Sequence, residues 1–312
     1  MTLMTSDNKS KLDRKAYQVA CGYRQIVAWP TVLLGCVVFT SYWAIPILVV
    51  LHDLSLLVAI PLMAILTYTA YTVLHEAVHY CINGNIKSLR WLNNSMGYLA
   101  ATMLLVPLTA HRYQHLVHHQ STNDDVDDPD LYSKDIFASL KSLLYAVYMA
   151  VAGQYQAYIA ERWTTAPKAQ NRLFVVEILF ALLLRALPFV IVVVIGGSEI
   201  QEKIFDLLLL FVGGGFLGIF LLVFLFAYIV HRPHQTSERY LNTSTIIIQG
   251  PLSWPLTLLW GYQNYHAVHH LFPWVPFYHY QRLFKQIKPT MEAMDAPIYR
   301  LTWRGLQTIS AT

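Results

Sequence analysis

Residues 75–79 read HEAVH, and the spacing of this stretch is that of metal chemistry. Imidazoles at i and i+4 share one helical face, and the Glu76 carboxylate stands beside them. Such a set can hold a zinc ion and activate a water for peptide hydrolysis. The histidines do not stop there. Of the 13 in the chain, all but His52 and His279 fall in four short clusters: His75 and His79; His111, His115, His118 and His119; His231 and His234; His266, His269 and His270. In HLVHH and HAVHH the first two histidines are i and i+3 on one face, while the third is turned by about 100°. Each such cluster reaches two neighbouring points in space. A structural zinc takes four protein ligands and a catalytic one three. Eight or nine imidazoles are too many for one zinc and suit two metal ions.

The elements that must gather these clusters are apolar. The 312 residues are 55% hydrophobic and only 13% charged, against about 25% charged in soluble domains, and the mean hydropathy is +0.41. Four stretches are long enough to span a bilayer, at about 29–51, 54–74, 173–195 and 204–230. The run 96–110 is too short to cross and reads as an interfacial or re-entrant piece. Lys and Arg crowd the segment before the first span, the stretch 81–172 and everything after Val230, while the two short turns between paired spans hold only Lys203. The bias predicts that both termini and all four histidine clusters lie on the cytoplasmic side. The N-terminal apolar run is long, begins near residue 28 and lacks a small-residue cleavage site, unlike a signal peptide.

Other motifs carry less. Cys21, Cys36 and Cys81 form no CxxC pair, so neither a disulfide framework nor a thiolate zinc site is expected. The net charge of +4 comes without a basic block, which argues against nucleic acid. Gly214 and Gly218 form a GxxxG spacing that predicts close helix packing. Within the spans, Glu177, Arg185 and Asp206 form no obvious relay, which argues against a transporter or metal sensor without turnover. A buried zinc protease would lack the Asp-Gly dipeptide that supplies the distant third ligand in intramembrane proteases.

The succession HEAVH, HLVHH, HAVHH resembles the three histidine boxes of the membrane fatty acid desaturase and hydroxylase superfamily: HxxxH, HxxHH and HxxHH, in that order, on a four-span bundle. The resemblance runs from about Thr72 to Phe284 and includes HHLFPWVP (His269–Pro276). FAYIVHRPH (Phe226–His234) is similar to the segment after the fourth span where many members place a further ligand. The resemblance implies an all-α integral membrane fold in one domain (1–312), with four transmembrane helices and a cytoplasmic helical cap. It also implies a non-haem centre of two iron ions held by His75, His79, His115, His118, His119, His231, His266, His269 and His270. His111 departs from the pattern, since many relatives carry an aromatic residue there; a donor behind the ligands or a bystander is the expected role, and His234 is left open. Glu76 is expected to orient an imidazole N–H, and one aspartate of DDVDDPDLY (Asp124–Tyr132) to orient a second-box histidine or bind an electron donor.

The implied activity is O2-dependent attack on a lipid C–H bond, with a fatty acyl desaturase ahead of a carotenoid hydroxylase or ketolase. The chain has no HPGG haem signature and no flavin or nicotinamide fingerprint. A separate ferredoxin, rubredoxin or cytochrome is therefore the expected electron donor, with Arg282, Lys285 and Lys288 as candidate docking residues.

Overall fold

The computed structural model describes residues 6–51, 53–195 and 197–309; His52 lies outside them. Helix α1 (Ser6–Cys21) precedes the first span, α2 (Trp29–Val50), which packs as a hairpin against α3 (Leu56–Val78). Next come α4 (Arg90–Leu104) and α5 (Leu108–Ser121). Helix α6 (Leu140–Tyr148) then runs through a π turn (Met149–Gly153), the short α7 (Gln154–Ala157) and a second π turn (Tyr158–Arg162). Helix α8 (Lys168–Ile195) pairs with α9 (Ile200–Leu222), which ends in a π segment, Val223–Tyr228. Strand β1 (Thr245–Ile248), α10 (Ser253–Leu259), α11 (His266–Leu271) and α12 (Tyr280–Ala293) follow, and β2 (Ile298–Thr302) and β3 (Gly305–Thr308) close the described chain.

Among the described residues, four helices are long and apolar enough to cross a membrane: Trp29–Val50, Leu56–Val78, Lys168–Ile195 and the continuous Gly197–Tyr228. The fold is an all-α integral membrane bundle, as the sequence predicts. The second span runs four residues beyond its expected end at 74. Polar side chains lower hydropathy without breaking a helix, so His75 stays helical and His79 becomes the C-cap. Helix α3 is the most buried span, and α9 lies along it through its glycines. A Cβ on Gly218 would lie 2.5 Å from Thr67 Cβ, and one on Gly214 2.7 Å from Met63 Cβ. Gly218→Ala should therefore destabilise the bundle by about 1–3 kcal/mol, read as a lower thermal midpoint in detergent. Gly215→Ala, where an added Cβ meets nothing, should leave the midpoint unchanged or slightly raised.

The 96–110 run falls in two helices, the end of α4 and the start of α5, too short to be a single span. Helix α4 has 15 residues, about 22 Å, and stops at Leu105 in a left-handed turn. Ending a helix among spans exposes carbonyls that lipid cannot satisfy. Here the protein supplies donors: Arg185 of α8 donates to the Met103 carbonyl at 2.7 Å, and the Tyr155 hydroxyl donates to that of Leu105 at 2.6 Å. About two turns away on α8, Glu177 accepts from both the Thr109 amide and its hydroxyl at the start of α5. Two of the intraspan charges thus cap a helical hairpin instead of forming a relay.

A small sheet was not predicted. β1 runs parallel to β2 with Thr245 opposite Ile298, and β3 is antiparallel to β2. Its position matters more than its size. Ser244, just before β1, donates its amide to the Val230 carbonyl, and its own carbonyl accepts from the Ala267 amide of α11. The end of the fourth span and the third histidine cluster are therefore tied through one strand.

Candidate metal centre

Nine of the sequence-nominated histidines meet at one end of the bundle. The ring nitrogens of His75, His79, His115, His119 and His269 form one group, and those of His118, His231 and His270 a second, each within 4.8 Å. His266 adjoins the second group, its Nε2 3.1 Å from that of His270. The groups are contiguous: the His119 and His270 rings stack at 4.3 Å. Neither group includes His111 or His234. His234 instead stacks on Tyr228, and His279, half-buried beside Tyr23, faces Gln25 at 3.2 Å.

Each ring is positioned by its own element. α3 supplies His75 and its cap His79; α5 supplies His115, His118 and His119 on successive turns; α11 supplies His266, His269 and His270. His231 follows the π segment, whose wider turn re-aims the chain beyond it. The loosened backbone is satisfied locally, since Trp260 donates Nε1 to the Leu225 carbonyl at 2.9 Å and His231 Nδ1 lies 2.6 Å from the Ala227 carbonyl.

The hydrogen bonds fix which nitrogen of several rings carries the proton. His118 Nδ1 is 2.8 Å from Asp128 Oδ1, and His266 Nδ1 is 2.8 Å from Gln263 Oε1. A carboxylate, a carbonyl and an amide oxygen only accept, so Nδ1 donates in His118, His231 and His266. In its neutral form each of these rings presents a bare lone pair on Nε2. Yet His118 Nε2 lies 3.0 Å from His231 Nε2, which lies 3.3 Å from His270 Nε2. Facing lone pairs repel unless positive charge lies between them. The first group tells the same story differently: both nitrogens of His75, Nε2 of His79 and Nδ1 of His115 are buried without a partner among the described residues. Each such orphan costs about 1–3 kcal/mol, and a cation would take up the lone pair of each ring. The donor set fits a pair of imidazole-ligated metal ions.

Electrostatics divide the cluster. Burial, with the charges of His111 and Arg112 nearby, holds His79 down to about 3, and burial holds His111 at about 4. Burial also pulls on His118, but the Asp128 hydrogen bond and the charges of Asp130 and Asp128 outweigh it and leave this ring above the usual histidine range.

The residues behind the rings differ in part from expectation. Asp128 meets the expectation that one aspartate of the acidic run orients a second-box histidine; it also accepts from the Asn123 and Asp130 amides at 2.7 and 2.9 Å. Glu76 does not orient an imidazole. One residue past His75 the helix has turned by about 100°, so its carboxylate accepts from the Phe277 amide at 3.1 Å and the Thr31 hydroxyl at 3.4 Å. It pins the segment after α11 to α3. Sequence reasoning missed Gln263, although its i−3 spacing to His266 was a signal. It also missed Tyr280, whose hydroxyl sits 2.9 Å from His269 Nδ1 across a loop and left no signal.

A narrow cavity opens from His118, His231 and His266 into the bundle, walled by Leu104, Ile219 and Leu222. Comparison with known proteins agrees with this geometry. Residues 54–302 match the family described as Fatty acid desaturase. The chain belongs to the fatty acid desaturase family. It is 24% identical over 270 residues (73% of this chain, 69% of the relative) to a Delta(9) fatty acid conjugase-like enzyme of Dimorphotheca sinuata. It is 25% identical over 154 residues (49% and 42%) to an sn-1 oleoyl-lipid 12-desaturase of Picosynechococcus. It is 27% identical over 108 residues (33% and 29%) to an sn-1 acyl-lipid omega-3 desaturase (ferredoxin) of Nostoc. As a member of this desaturase family, the protein is a membrane oxidoreductase of lipid.

Proposed function

We propose that this desaturase-family protein is an O2-dependent, two-iron enzyme that introduces a double bond into a fatty acyl chain. The observation that carries the reading is the convergence of Nε2 atoms from three distant segments, His118, His231 and His266, with Nδ1 of each already committed to an acceptor. His75, His79, His115, His118, His119, His231, His266, His269 and His270 would hold the irons. Bound there, two irons would supply oxidation of an unactivated C–H bond, which no side chain can perform. The chain's own residues do the rest. Asp128, Gln263 and Tyr280 keep the rings in one orientation. Leu104, Ile219 and Leu222 give an apolar chain a dry path to the cluster, and Phe226, in edge contact with His75 and His266, helps to shut out water.

Electrons would come from a separate ferredoxin-, rubredoxin- or cytochrome-type donor; one relative's name specifies ferredoxin. Helix α12 buries Leu283, Phe284 and Ile287 and leaves Arg282 and Lys285 exposed, a basic face suited to an acidic donor. The Lys and Arg bias supports a cytoplasmic cluster with both termini on the same side. The test is metal analysis of the purified protein with lipid profiling of a host expressing it beside His118→Ala. About two irons per chain and a new unsaturated lipid, both diminished in the variant, are the expected result. One tightly held zinc and an unchanged lipid profile would sink the reading.

A further inference from the structure

The cavity beside the histidine cluster has a polar wall that the chemistry above leaves unused. It forms where α5 faces α7. His111 and Gln154, 4% and 3% exposed, meet there with His111 Nδ1 3.3 Å from Gln154 Oε1. The amide oxygen only accepts, so Nδ1 carries the proton and Nε2 keeps a lone pair. That Nε2 is buried and has no hydrogen-bond partner among the described residues. Neither nitrogen of His111 belongs to either histidine group, so the ring is not spoken for by the metal centre.

The local sequence places this pair with some effort. Gln154 lies directly between two π turns, Met149–Gly153 and Tyr158–Arg162, and such turns gather at functional sites. On the other side, the His111 ring is held between the edge of Tyr71 and the face of His115. Both His111 and Gln154 line the cavity, and Tyr71, Tyr132 and Asp130 add further oxygens to the same wall. A plain methylene chain offers nothing to these groups and would leave the lone pair buried and unmatched. An alcohol answers it, because a hydroxyl can donate to the imidazole nitrogen that Gln154 leaves bare.

We propose that His111 and Gln154 are specificity-determining residues that select a substrate chain carrying a hydroxyl group near the carbons to be oxidised. This rests on the lipid-oxidising reading above and narrows its substrate from acyl chains in general to oxygenated ones. The hydroxyl donates to His111 Nε2, which the Gln154 bond to Nδ1 keeps bare, and so fixes how far the chain slides past the cluster.

The test is binding to the full-length, metal-loaded protein in lipid nanodiscs. The probes are octadecanoate and a set of octadecanoates bearing one hydroxyl walked along the chain, each competing with a fluorescent fatty acid. At least one hydroxylated isomer should bind about tenfold tighter than the plain chain. The ratio should fall to about one in both His111→Phe and Gln154→Leu, with metal content at the wild-type level. Equal binding of every probe by the wild type, or a preference that survives in both variants, overturns the proposal. Metal loss in His111→Phe also overturns it, by making that residue a ligand. Binding is read without turnover, so a protein that selects the hydroxylated probe but oxidises no lipid sinks the desaturase reading and leaves this one intact.

Discussion

A His231→Ala variant should keep about half of its metal and lose lipid oxidation by at least about 100-fold. His231 is the only member of the second group that comes from the fourth span, and its Nε2 stands between those of His118 and His270, at 3.0 and 3.3 Å. Removing it leaves His118, His270 and the neighbouring His266 to hold the second ion. The first group, His75, His79, His115, His119 and His269, has no member from that segment and should retain its ion. Metal quantification on the purified variant, with product measured in the same membranes, checks both halves. Loss of all metal would mean that the two groups bind as one unit. Retention of all metal would mean that His231 is not a ligand.

Asp128→Asn should weaken the second site without touching a ligand. The carboxylate accepts from His118 Nδ1 and the Asp130 amide through one oxygen and from the Asn123 amide through the other. An asparagine amide can keep one of those oxygens but must turn its NH2 toward the remaining donors, and a buried donor facing a donor is repelled. The loss of charge also removes part of what holds the His118 ring above the usual histidine range, leaving the Asp130 charge alone to do so. A drop of about 10- to 100-fold in affinity for one of the two metal ions is expected, read by chelator competition. Asp124→Asn, on an exposed carboxylate of the same run that bonds only its own loop amides, Val126 and Asp127, should leave metal affinity unchanged. Equal affinity in Asp128→Asn and wild type would show that His118 needs no anchor.

The two variants also separate what is local from what is not. His75 and His79 share a helical face because four residues make about one turn, and HLVHH and HAVHH repeat that logic, so the ligand types and their pairing are written in short spacing. The spans are equally legible, since lipid demands long apolar runs. The residues behind the rings are harder to read. Asp128 follows His118 by ten positions through a turn, Tyr280 reaches His269 across a loop, and Glu76 looks like a partner of its neighbouring histidines until the helix carries it round to Phe277.

By itself, then, the sequence determined that this is a histidine-rich helical membrane protein whose clusters sit at the ends or between its spans. Hydropathy and helical period act over one or two turns, and that is the range those statements need. Only the tertiary structure decided that the clusters divide into a group of five and a group of three with His266 alongside, that Arg185 and Glu177 cap the α4–α5 hairpin, and that His111 faces Gln154 in the cavity wall. Those outcomes depend on how far each helix rotates and how closely α9 settles on α3, which is set by packing between residues remote in the chain and leaves no periodic mark on it.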